Sequence, residues 1–304
     1  MKKVIIVLCI ILAVGIAVSV TGLIIYAANG GNDMSNYEKI EKKATLNADG
    51  KIEISGKVES VNVYATDGEQ LELSYYDGKR LSHEYSDEGG NVTLKTSFHS
   101  WFFGFWFHFD PDKIAISVGV PRSFKGELDL SGATGDITVR GIEGLSKLEA
   151  NVSTGAVTVE NVKAEKCKLT ATTGYVNVNG LTAVGDVLLK STTGAVKAYG
   201  VTTKGLVKTE VTTGKTEIEA DCGSFRAKST TGGVNMTIKN AEEIEANCTT
   251  GSITGKIYGS EKDFDIAAST TTGSSNVSDR TTENGRKLRV TTTTGSISIK
   301  FIEE

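Results

Sequence analysis

The sequence predicts an all-β fold, a right-handed parallel β-helix, on three observations: a Thr-Gly pair recurring at a period of about twenty residues, strand-type alternation on both sides of each pair, and only two prolines in 304 residues. The pairs stand at 134–135, 154–155, 173–174, 193–194, 213–214, 231–232, 250–251, 272–273 and 294–295, and their glycines are separated by 20, 19, 20, 20, 18, 19, 22 and 22 residues. A repeat this regular is one supersecondary unit stacked upon itself. Ser or Thr precedes the Thr in every copy except the first, where Ala133 stands, so the unit reads Thr-Thr-Gly.

Counting back seven residues from each glycine gives Leu128, Leu148, Cys167, Val187, Val207, Phe225, Ile244, Ile266 and Leu288; counting back five gives mostly Leu, Ala and Val. Forward, the second and fourth positions are apolar in most copies, as in Val157/Val159 and Ile297/Ile299. These are half-buried strands. The odd separation across Thr-Thr-Gly slips the two-residue phase, so the chain must turn there. Gly135, Gly155, Gly174, Gly194, Gly214, Gly232, Gly251, Gly273 and Gly295 are therefore the predicted structural corners, glycine supplying a positive φ or the lack of a Cβ. Two strands and a second bend make one coil of about 20 residues, and about nine coils fill 122–304, wound right-handed by the crossover rule. Helical repeats and propeller blades need longer periods. Of the two adjacent threonines, strand geometry predicts that one column faces the interior or corner and the other faces solvent.

Ahead of the repeats, residues 37–121 read as a β-strand and hairpin capping region. KIEISG, SVNVYAT, QLELSYY, NVTLKT and KIAISVGVP alternate, and Asp-Gly or Gly-Gly turns separate them at 49–50, 67–68, 77–78 and 89–90. A solenoid needs its raw end strands covered, and this region is expected to cap the first end, with the charged Glu303-Glu304 tail blunting the other. Within it, 97–110 concentrates both Trp and six of the ten Phe. Trp101, Phe102, Phe103, Phe105, Trp106 and Phe107 are candidates for contact with the outer membrane interface or a partner, because Trp favours interfaces and large apolar patches are seldom left bare. The alternative is a hairpin bent at Gly104 and packed over the cap.

The extreme N-terminus sets the compartment. Val4–Ala28 carries no charge, long enough to cross a hydrocarbon core of about 30 Å. Lys2 and Lys3 precede it and no Lys or Arg follows until Lys39. The positive-inside rule then places the N-terminus in the cytoplasm and the bulk of the chain outside the cell membrane. Residues 1–28 are read as a single-pass transmembrane signal-anchor and 29–36, rich in Gly and Asn, as a flexible tether. A cleaved signal peptide is the competing reading, although its apolar core is usually shorter, about 7–15 residues.

Composition excludes most chemistry. A net charge of −4 without a basic cluster argues against nucleic acid. The three histidines, His83, His99 and His108, all precede the repeats, so no histidine triad or histidine metal site is available to the coils. No catalytic residue, metal ligand or cofactor is assigned. Cys167 and Cys248 occupy inward positions as small hydrophobes, whereas Cys222, near a second bend, is expected to be partly exposed. Outward Lys, Glu and Asp read as a solvated mixed-charge face, with Asp263 and Asp265 the best acidic pair.

The Thr-Thr-Gly-x-Val-x-Val repeat, ISVGVP at 116–121 and the single N-terminal anchor resemble the bacterial "putative adhesin" family, a domain-of-unknown-function group of membrane-anchored β-helix proteins that includes LiaG-like envelope proteins. The resemblance covers about 40–304 and transfers no catalytic residue. It implies a cell-envelope protein. The reading is a non-enzymatic, membrane-anchored extracytoplasmic β-helix that acts as an adhesin or envelope interaction module, with a cell-wall polymer or other envelope or membrane proteins as partners. Two alternatives stand beside it: an accessory protein of an envelope-stress sensing system, and a polysaccharide-acting β-helix enzyme using Asp263 or Asp265.

Overall fold

A computed structural model describes residues 37–78, 81–98 and 114–303. The predicted anchor, the tether and the aromatic candidates Trp101 to Phe107 lie outside the described residues. In chain order the strands are β1 Glu38–Ala44, β2 Lys51–Gly56, β3 Val61–Thr66, β4 Leu71–Asp77, β5 Leu81–Glu88, β6 Asn91–Phe98, β7 Ile116–Pro121 and β8 Glu127–Thr134. They continue as β9 Ile137–Arg140, β10 Glu143–Thr154, β11 Val157–Thr173, β12 Val176–Ala183, β13 Val187–Thr193, β14 Val196–Thr202, β15 Leu206–Thr213 and β16 Thr216–Asp221. The last are β17 Ser224–Thr231, β18 Val234–Lys239, β19 Glu243–Thr250, β20 Ile253–Tyr258, β21 Phe264–Thr272, β22 Arg286–Thr294 and β23 Ile297–Ile302. All belong to one hydrogen-bonded sheet system, and among the described residues no helix is long and apolar enough to cross a membrane.

The molecule is a parallel β-solenoid. From β8 to β20 each coil places one strand in a first ladder, β8, β10, the second half of β11, β13, β15, β17 and β19, and one in a second ladder, β9, the first half of β11, β12, β14, β16, β18 and β20. The inward column seven residues before the glycine is buried throughout, from Leu128 to Leu288. Stacked coils thus share one continuous hydrophobic interior, which no single coil could enclose. The corner glycines of Thr-Thr-Gly have φ between +112° and +149°, and the N–H of every one except Gly273 donates to the threonine carbonyl of the neighbouring coil, as in Gly194 to Thr213 at 2.8 Å.

The two threonine columns differ from expectation. Nearly every residue at both positions is exposed, so neither column enters the core. The residue one step earlier turns inward instead and donates to a corner carbonyl: Ser191 to Gly174 at 2.9 Å, Thr270 to Gly295 at 2.8 Å and Thr292 to Gly251 at 2.9 Å. The positive φ of the glycine swings the last two side chains outward together, and the inward hydroxyls satisfy carbonyls stranded at the bend.

Both ends depart from sequence order. Strands β2 and β3 stack in parallel on β8 and β9, and on their other side β6 and β7 stack in parallel on them. Residues 51–66 are therefore a solenoid coil rather than part of a hairpin cap, and among the four turn dipeptides only Gly89-Gly90 joins a true hairpin, β5 with β6. Antiparallel β4 and β1 finish the second ladder. The outer edge, β1, carries Lys39, Glu41, Lys42 and Lys43, charges that discourage edge pairing. At the far end β22 lies between β19 and β21, so the coil formed last in sequence is not last in space. There 274–285 folds over β21, with Ile266 bridged to Arg280 and the Asp279 carboxylate accepting the Ala268 N–H at 2.9 Å. This segment blunts that end, and Glu304 lies outside the described residues.

One coil carries two threonines in the core. Thr209 and Thr216 are fully buried, and neither hydroxyl finds a hydrogen-bond partner. An unsatisfied buried hydroxyl costs about 1–3 kcal/mol. Thr209→Val and Thr216→Val should each raise the urea midpoint of unfolding, with a gain of about 1 kcal/mol.

Candidate functional site

The exposed features gather on the corner edge and the adjoining second ladder. Ladder register aligns Thr134, Thr154, Thr173, Thr193, Thr213, Thr231 and Thr250, then Thr294 and Thr272, one per coil. Beside them runs the second column, Ser153, Thr172, Thr192, Thr212, Thr230, Thr249, Thr293 and Thr271. Strand spacing sets the repeat along the rod at about 4.8 Å. The edge is thus two rows of hydroxyls and methyls without a charge, held by a rigid scaffold.

On the second ladder Tyr64, Arg140, Glu160, Asn179 and Tyr199 fall in one outward column, one per coil. Tyr64 is 43% exposed and Tyr199 47%, while Tyr175, directly after corner Gly174, is 51% exposed. Four coil steps separate Tyr64 from Tyr199, about 19 Å. Arg140 pairs with Glu160 at 2.8 Å, and the Tyr199 hydroxyl donates to Glu217 at 3.2 Å. Exposed phenol rings offer an apolar face with a polar rim. Their register was not legible from the sequence, because tyrosines 64 and 199 meet one column only through the stacking of β3 on β9.

The first ladder presents a different surface. Glu149 lies between Lys147 at 2.8 Å and Lys168 at 2.6 Å, and those bonds hold its carboxyl down at about 2. Glu210 bridges Lys208 at 2.6 Å and Lys190 at 3.3 Å, and Arg226 reaches Glu243 and Glu245 at 3.3 Å each. With the cations roughly half exposed, such pairs contribute little to stability. The Glu149 and Glu210 clusters each keep one net positive charge, and the Arg226 cluster one net negative.

Groups with latent reactivity are engaged elsewhere. Cys222 is buried, against expectation, because its N–H pairs with the Lys239 carbonyl and its side chain turns into the core. Burial pushes its thiol and that of Cys167 up to about 12, with Asp221 adding to the Cys222 shift. Such thiols are poor nucleophiles. The Asp263 carboxylate accepts the Ser260 N–H at 3.0 Å and caps the short turn Glu261–Asp263. Among the described residues no three side chains are arranged to hold a metal ion.

Strand β6 belongs to the first ladder and β7 to the second, and the aromatic candidates between them lie outside the described residues.

A family model described as Toastrack DUF4097 matches residues 50–301. A solved structure described as a "putative lipid binding protein" from Parabacteroides distasonis is similar at 16% identity and a TM-score of 0.50, covering 88% of this chain and 98% of that one. A "putative adhesin" from Bacteroides fragilis gives 14% identity and a TM-score of 0.40, over 87% of this chain and 97% of that chain. No curated protein matches. The first of these two, at 16% identity, shows a likeness of fold alone.

Proposed function

The chain belongs to the Toastrack DUF4097 family, and from that premise we propose that it is a non-enzymatic, membrane-anchored envelope protein of adhesin type, binding an extended, weakly charged polymer of the cell wall along its corner edge. The observation that carries this reading is the pair of exposed threonine columns, continuous over successive coils and bordered by Tyr175. A rigid repeating surface suits a repeating ligand: each contact is weak, and the contacts add along the rod without further ordering of the protein. The uncharged run Val4–Ala28 supports anchorage with the solenoid outside the cell. Trp101 and Trp106, in the connection between β6 and β7, are proposed to meet the membrane interface or a neighbouring membrane protein.

The reading is tested by sedimenting the 29–304 fragment with purified wall material. Lysine at Thr193, Thr213 and Thr231 together places three like charges about 4.8 Å apart, and co-sedimentation should fall at least tenfold. The side chains are exposed, so the free energy of unfolding should change by less than about 0.5 kcal/mol per site. Unchanged binding by the triple variant would count against the corner edge, and absence of binding by the parent fragment would count against the wall polymer.

A further inference from the structure

The N-terminal end of the solenoid contains a buried charged cluster. Glu59, in the bend between β2 and β3, and His83, on β5, have side chains with no solvent exposure. His83 Nε2 lies 2.9 Å from Glu59 Oε1, and Nδ1 lies 2.7 Å from Asp77 Oδ1 at the end of β4. Glu59 is otherwise saturated: the Lys57 and Val58 N–H groups donate to Oε2 at 2.8 Å, and the Thr96 hydroxyl of β6 donates to Oε1 at 2.8 Å. Carboxylates only accept, so the imidazole can serve both partners only as an imidazolium, donating from each nitrogen.

We propose that His83, clamped between Glu59 and Asp77, is a proton-operated latch that ties β4 and β5 to the first coils when charged and loosens β5 when neutral. A neutral ring keeps one N–H, so one carboxylate then faces a lone pair. Glu59 retains its backbone and Thr96 donors, whereas Asp77 is 38% exposed and can turn to water. Asp77 is therefore the bond that opens. Because β5 covers the outer edge of β6, loosening it uncovers N–H and C=O groups that can pair with another strand.

The other groups around the ring do not replace the latch. Tyr75 of β4 packs against it, with ring centroids 4.6 Å apart, and burial, with Asp77 adding to it, raises the Tyr75 pKa. Tyr85 donates to Asp87, and Lys42 of β1 sits 5.8 Å over the Tyr85 ring. Glu84, Glu88 and Lys95 face solvent.

The direction of the pH effect follows. Burial pulls the His83 pKa down, but the bonds and charges of Glu59 and Asp77 outweigh it, and the net shift is upward from 6.5. Burial pushes Glu59 up, and its bonds to His83, the backbone and Thr96 outweigh that, leaving it below 4.5. Stabilisation by His83 is thus full below about 6.5 and lost as pH rises through its native value. That from Glu59 is full above about 4.5 and lost as pH falls through its own.

The test is hydrogen exchange of the β5 amides in the full-length chain in detergent micelles from pH 6 to 9, corrected for intrinsic rates, with the His83 ring titration followed by NMR. The opening constant of β5 should rise by up to tenfold per pH unit between 6.5 and the native His83 value. Asp77→Asn, whose amide can donate to a neutral Nδ1, should flatten the profile while keeping the fold, and His83→Gln should flatten it as well. A pH-independent opening of β5 in the parent, a His83 titration at or below 6.5, or an unchanged slope in Asp77→Asn would each overturn the latch.

Discussion

Gly214→Ala is expected to destabilise the solenoid by about 2–5 kcal/mol. Gly214 has φ +137°, a conformation costly for any residue with a Cβ. A Cβ built there would meet the carbonyl of Gly194, itself the next corner in the column, and the same overlap recurs between Gly194 and Gly174. That carbonyl has no room to retreat, because both ladders fix the coil spacing. Gly200→Ala is the control: its φ is +67° and its nearest neighbours would lie 3.6 Å from the new Cβ, so only the left-handed backbone is penalised, by about 1–2 kcal/mol. Urea unfolding of the two variants should separate them clearly, and equal midpoints would show that the glycine column is not what sets the corner.

Phe225→Ala should cost about 3–5 kcal/mol, with Phe225→Leu well below that. Phe225 is fully buried and stands in register with Val207 and Ile244. Two positions on, the same coils place Thr209, Ala227 and Ala246 inside, so one large ring meets a run of small residues. The neighbours are clamped by ladders and cannot collapse into the space an alanine would leave, which puts the variant at the costly end of large-to-small changes. Calorimetry on the variant checks the magnitude, and a loss near 1 kcal/mol would mean that the coil relaxes.

Much of this architecture is legible before any coordinates. Local alternation reports which side chains point inward, and a glycine at every twentieth residue reports where the chain bends, since both depend on a residue and its immediate neighbours. The inward placement of Leu128 and Leu288 follows from such spacing. Neither alternation nor spacing says which strand lies alongside which. The stretches around Ile54 and Val63 alternate as a hairpin would, yet their partners are parallel strands 40 to 76 residues later.

The repeat, the corner glycines, the inward columns and the scarcity of histidine and of metal-ligand spacing are properties of short-range stereochemistry and composition, and they can be read from the residues alone. The order of coils at the two ends, the outward turn of both threonine columns, the single column holding Tyr64 and Tyr199, and the burial of Glu59 with His83 emerge only once the chain is folded. Each of those depends on contacts between segments far apart in the chain. Such contacts are selected by the free energy of the whole stack: a strand settles where its apolar face and its backbone donors are both satisfied, and several local sequences can meet that condition equally well.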